Sequence, residues 1–111
     1  MVHEMKLQDN PFNWIKSGNK IFELRLYDEK RRGISVGDTI QFTNMVTSEQ
    51  IVVKVLALHV FKDFEELYKN IPKSSMGYAE GEEALPQDME KYYSIQEQQK
   101  YNVVAIEIKL I

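Results

Sequence analysis

The stretch Gly18-Asn19-Lys20-Ile21-Phe22-Glu23-Leu24-Arg25-Leu26-Tyr27 carries the reading of the fold, because it alternates with a period of two. Side chains on a strand point to opposite faces in turn. Phe22, Leu24 and Leu26 therefore form one apolar face, and Ile21, Glu23 and Arg25 form the other. The apolar face asks for a core. The charged face has two readings: a solvated surface whose opposite charges pair across neighbouring strands, or the floor of a ligand site. Periodicity alone favours the first.

The same period recurs outward from this stretch. His3, Met5 and Leu7 alternate with Glu4 and Lys6 over 3–7, Ile40 and Phe42 with polar neighbours over 39–43, and Val104, Ile106, Ile108 and Leu110 with Ala105, Glu107 and Lys109 over 103–110. Ile51 to Val60 is apolar at nearly every position, which predicts a long strand at the centre of the barrel, buried on both sides. Between the strands lie short helical signals. Asn10-Pro11 predicts a cap and first turn, and Ser17-Gly18 a stop. Asp63 with Glu66 predicts a capped helix carrying Phe64, Leu67, Tyr68 and Ile71 as far as Pro72. Leu85-Pro86 and Ser94-x-x-Glu97 predict helices over 87–93 and 95–101, with an ordered loop over 72–85 before them. The run Asp28-Glu29-Lys30-Arg31-Arg32-Gly33 predicts a basic loop. Five strands broken by short helices, without regular βαβ alternation, predict a mainly β, α+β fold: a small mixed or antiparallel barrel with helices packed around it.

At 111 residues with 43% hydrophobic content, the chain is sized for one compact domain over 1–111. It contains no cysteine, so disulfides and thiolate metal sites are excluded. Its two histidines, His3 and His59, have no spacing that supports a metal site or a Ser-His-Asp triad; His59, inside the long apolar strand, is expected to be a core residue. No metal and no cofactor is expected. Neither a signal core nor a membrane-length apolar run is present, so a cytoplasmic protein without membrane contact is expected.

The net charge of −3 argues against binding duplex DNA through phosphate contacts alone. The charge is uneven, however. Residues 1–62 carry nine Lys/Arg against seven Asp/Glu, and residues 63–111 carry five against ten. An anion site belongs in the first half. Nothing in the pattern bears on oligomeric state.

The motif Gly18-x-Lys20-x-x-Glu23-x-Arg25, followed by the turn Val36-Gly37-Asp38, resembles the signature region of the ASCH family. The resemblance extends to the opening His-Glu-Met-Lys-Leu, to Phe64-Glu65-Glu66-Leu67-Tyr68, to Gly77-Tyr78 and to the closing strand, and it is that of a stand-alone bacterial ASCH protein. It implies a PUA-like barrel of five to six strands with a cleft beside the signature strand that takes RNA, a nucleotide or a nucleoside. Lys20, Glu23, Arg25, Tyr78 and Lys16 are the expected ligand-binding residues: Arg25 as a planar fork for phosphate, Tyr78 as a stacking surface, and Lys16, with Lys30, Arg31 and Arg32, as a phosphate-tracking edge. Trp14, Tyr92 and Tyr93 are further stacking candidates.

One related branch hydrolyses acetylated cytidine with a lysine, a threonine and a glutamate. Lys20 matches that lysine, Glu23 stands at the position of the threonine, and Glu80 is the candidate for the glutamate. The catalytic set for an enzyme of this kind is thus Lys20, Glu23 and Glu80, with Lys20 as base or nucleophile, Glu80 as proton acceptor and Arg25 steadying negative charge. Other ASCH proteins are assigned ribonuclease activity, which the same cluster allows. A third reading, an adaptor, would use the Tyr-rich and acidic second half to contact another protein.

Overall fold

The computed structural model describes residues 1–111. Five strands, β1 (Val2–Leu7), β2 (Phe22–Leu26), β3 (Thr39–Asn44), β4 (Gln50–Phe61) and β5 (Val103–Leu110), form one sheet in the order β1-β3-β4-β5-β2. β1 runs parallel to β3, and every other pair is antiparallel. The sheet curls into a half-barrel with β1 and β2 as its two free edges, consistent with the PUA-like fold. Four short helices surround it: α1 (Asp9–Lys16), α2 (Glu29–Arg32), α3 (Phe64–Asn70) and α4 (Ile95–Tyr101). No helix is long and apolar enough to cross a membrane.

β5 shows why the sheet has two cores. Its alternation places Val104, Ile106 and Ile108 in an inner cluster with Met5, Leu7, Ile40, Phe42, Val53 and Val55, closed by Phe12 and Ile15 of α1. Its other face places Val103 and Ala105 in an outer cluster with Phe22, Leu24 and Leu26 of β2, covered by Phe64 and Leu67 of α3. β5 and β2 are thus covered on both faces, which fixes their register because a one-residue slip would bury the wrong set.

β4 departs from its sequence reading. Val53 and Val55 are buried, but Val52, Leu56 and Val60 are exposed, and the register shifts between Val55 and Ala57. Its continuous apolar run reflects the preference of branched side chains for a pleated surface more than two-sided burial. His59 is correspondingly on the outer face rather than in the core: its side chain is 40% exposed, it lies edge-on to Phe22, and its Nε2 is 3.0 Å from Glu107 Oε1.

The helices differ at their ends. The basic segment after β2 folds into α2, because the Asp28 carboxylate accepts the Arg31 N–H and caps the turn. α1 begins at Asp9, two residues early, with Gln8 at its cap position and no side-chain cap. Asp9 instead accepts a 2.9 Å bond from the buried Asn44 and ties α1 to the end of β3. Residues 72–85 contain a 3₁₀ turn, Lys73–Met76, and the helix read over 87–93 is a 3₁₀ turn, Pro86–Met89. α4 begins where its sequence signal puts it, with Ser94 and Glu97 capping each other's N–H groups. The buried Gln98 then links α4 to Phe64 N and to the Tyr93 carbonyl.

Asp38, in the turn before β3, accepts a 2.8 Å contact from His3 Nε2 and a 3.0 Å bond from Ser35 N. The bond from His3, then that from Ser35, hold its carboxyl down at about 2 against an ordinary 3.8. A group whose folded pKa is depressed stabilises the fold above its unfolded pKa, and that contribution disappears as pH falls through the folded value. Urea midpoints measured from pH 6 to pH 2 should therefore fall between about pH 4 and pH 2, and Asp38→Asn should flatten that part of the profile.

Candidate functional site

The site is built by β2. Since Phe22, Leu24 and Leu26 fill the outer core, Glu23 and Arg25 must point the other way, and the register sets them opposite Ile106 and Val104, two members of the inner core. The charged face of β2 is thus turned into the half-barrel instead of toward solvent. Glu23 is 5% exposed and Lys20 is 8% exposed. Buried charges are costly unless paired and hydrogen-bonded, and each of these has its partners.

Glu23 Oε2 accepts a 2.8 Å bond from Arg25 Nε, and Glu23 Oε1 lies 3.5 Å from Lys20 Nζ. Lys20 Nζ also donates to the Met76 carbonyl at 2.9 Å, and Arg25 Nη2 donates to the Lys6 carbonyl on β1 at 3.0 Å. One carboxylate therefore holds two cations, and the trio is net positive. Burial lowers the Lys20 amine below its ordinary pKa, and the nearby Glu23 carboxylate opposes the shift. At Arg25 burial also pulls downward, but Glu23 and Tyr93 outweigh it and hold the guanidinium above its ordinary value.

Gly77 completes the seat of Lys20. Its φ of 102° disfavours any side chain, and a Cβ there would come within 3.3 Å of Lys20 Cδ. The turn it makes carries Met76 and Tyr78 to the site. Tyr78 OH donates to Asp88 Oδ2 at 2.7 Å and, having spent its proton there, accepts from Tyr68 OH at 2.8 Å. Burial, followed by these two bonds, pushes the Tyr78 phenol up, so the group remains a neutral donor.

These residues surround a cleft of about 340 Å³ between the free edges of β1 and β2. Lys20, Glu23 and Arg25 form its inner side; Tyr68, Tyr78, Met76 and Met89 form its outer side; Lys6, Leu7 and Gln8 form the β1 side. The volume falls in the range that suits a small ligand or one nucleotide unit. Tyr92 and Tyr93 also line it: Tyr93 is stacked on Phe64 with ring centroids 5.9 Å apart, and Tyr92 is exposed.

Of the residues singled out from sequence, Lys20, Glu23, Arg25 and Tyr78 meet at this cleft. Lys16 does not: it is exposed at the end of α1 and pairs with Glu49. Glu80 lies in a second, more open hollow with Trp14, Asn19 and Ser75, on the far side of Tyr78. The basic residues of α2 face elsewhere as well. Lys30 donates to the Glu4 carbonyl, Arg31 binds Asp28, and Arg32 donates to the Tyr101 carbonyl above the Tyr27 ring. Tyr68 and Lys6 were not legible as site residues. Tyr68 continues the apolar stripe of α3, and Lys6 contributes through its backbone.

The chain belongs to the ASCH domain family, whose profile matches residues 5–111. This is a PUA-like family associated with RNA binding. Among solved structures, the chain is similar to hypothetical protein PH0355, at 35% identity and a TM-score of 0.87 with 100% of both chains covered. It is also similar to protein PF0455 from Pyrococcus furiosus, at 35% identity and a TM-score of 0.73, covering 100% of this chain and 98% of that one. A ZmASCH variant from Zymomonas mobilis shares the fold at 14% identity and a TM-score of 0.71, covering 97% of this chain and 67% of that one. No curated protein matches. The bacterial origin implied by the sequence resemblance is not supported, since neighbours at 35% identity are archaeal.

Removing the carboxylate that joins the trio leaves two buried cations unpaired. Glu23→Ala should cost about 3–5 kcal/mol in urea unfolding, the range for breaking a buried ion pair by deleting one partner. A loss within about 0.5 kcal/mol, typical of a surface pair, would contradict this account of the site.

Proposed function

We propose that this ASCH protein binds single-stranded RNA or a free nucleotide in the β1–β2 cleft. The observation that carries the reading is a buried, net positive trio facing a cleft whose opposite wall is aromatic. Nucleotides combine an anion with a flat ring, and both find a complement here.

Arg25 supplies the anion contact. Its Nε is taken by Glu23 and one Nη2 hydrogen by the Lys6 carbonyl; the donors left over are oriented by those two bonds, a pre-ordered fork suited to phosphate. Glu23, with both oxygens engaged by cations, serves to position them. Tyr68 and Tyr78, locked to each other and to Asp88, offer a rigid wall at small entropic cost. The acidic character of the whole chain fits one or two phosphate contacts in a cleft, not a tract of duplex.

Hydrolysis of a modified nucleoside has one observation in its favour, the buried Lys20 amine with its lowered pKa. It has another against it: Glu80 lines a different hollow. Chromatography of acetylcytidine and of short RNAs after incubation with the protein separates turnover from binding.

Titration of labelled single-stranded RNA and of ribonucleoside monophosphates at several salt concentrations tests the binding reading. With one or two phosphates engaged, log affinity should fall against log salt with a slope of about −0.7 to −1.4. Arg25→Ala, checked for folding by circular dichroism, should weaken binding by about tenfold or more, and Lys16→Ala should not. Undetectable binding, or binding indifferent to Arg25→Ala and Lys20→Ala, refutes the reading.

A further inference from the structure

The two free edges that line the cleft carry peptide groups as well as side chains. In the antiparallel β2–β5 pair, Ile108 N donates to Ile21 O and Tyr27 N donates to Asn102 O. Bonded pairs alternate along such a ladder, so the odd residues Glu23 and Arg25 exchange their peptide bonds with β5. The N–H and C=O of Phe22, Leu24 and Leu26 therefore point the other way, toward β1. Leu24 is the one of these three that lines the cleft, and it is 6% exposed.

The cleft touches both the inner-face residues Glu23 and Arg25 and the outer-face residues Tyr68 and Met89, so it lies along the β2 edge itself. No group of the protein bonds the Leu24 N–H or C=O. Peptide groups this deeply placed are nearly always paired, with water or a ligand where protein does not serve. On the β1 edge the corresponding carbonyls are already met, Glu4 O by Lys30 and Lys6 O by Arg25. These two side chains bar an added peptide strand from the seam.

Resting on the nucleotide reading above, we propose that the Leu24 backbone is the base-recognition element: its N–H and C=O pair with the edge of a nucleobase, while the phosphate lies toward Arg25. The chemistry discriminates between the two ends. A phosphate only accepts hydrogen bonds, so at Leu24 it would satisfy the N–H and set negative charge against the C=O. A base edge presents a donor beside an acceptor and serves both groups. The flanking Tyr68, Tyr78, Met76 and Met89 side chains suit the faces of a planar ring.

Amide hydrogen exchange with ¹H–¹⁵N spectra of the full chain tests this directly. In the free protein the Leu24 amide should exchange faster than those of Glu23 and Arg25. Saturation with the ribonucleoside 5′-monophosphate that binds should slow Leu24 by about tenfold or more. Ribose 5-phosphate and inorganic phosphate should shift the Arg25 Nε resonance without protecting Leu24. A Leu24 amide as protected as Glu23 in the free protein overturns the inference. So does a nucleotide that shifts Arg25 Nε and leaves Leu24 unchanged, although phosphate binding then stands. If none of these probes moves any cleft resonance, both the inference and the nucleotide reading fall.

Discussion

The site depends on a single buried carboxylate. Glu23 lies between Arg25, at 2.8 Å, and Lys20, at 3.5 Å, on the same side of the half-barrel as its inner hydrophobic cluster. Neither cation would tolerate that position alone, because the cost of stripping a charge of water is recovered only by good pairing. Once held, each cation does a second task. Lys20 fastens the Met76–Tyr78 turn to β2, and Arg25 reaches across to β1. The trio thus joins both sides of the cleft and leaves an excess of one positive charge within it.

The open seam follows from the same geometry. A closed barrel would pair β1 with β2 and abolish both edges. Here the seam is crossed by side chains, Arg25 to the Lys6 carbonyl and Lys30 to the Glu4 carbonyl. Those contacts hold the edges apart at a fixed spacing, and the space between them is the cleft. Fold and proposed function meet at Arg25, which bridges the seam and also carries the charge of the proposed anion contact.

Much of the fold was legible because strand periodicity is a direct record of two-sided environments. β5 and the apolar face of β2 read correctly for that reason. The direction of Glu23 and Arg25 did not, since a period of two separates the faces without saying which is enclosed. In an open sheet the charged face would be wet; here the curl of the sheet encloses it. β4 misled in the opposite sense, its apolar run marking strand preference on a face that remains exposed. Glu80 and Lys16 fall outside the cleft, and their positions depend on the paths of a loop and a helix end, which no pattern encodes. The Leu24 edge was invisible for a simpler reason: peptide groups are the same at every position, and only strand order shows which lack a partner.

The most direct test of the account is the structure of the protein bound to a short single-stranded oligoribonucleotide. One nucleotide is expected in the β1–β2 cleft, its phosphate on Arg25, its ring against Tyr68 and Tyr78, and its edge on the Leu24 backbone. An oligonucleotide seated on another face, with the cleft free of it, would contradict the claim that the buried trio exists to hold a ligand.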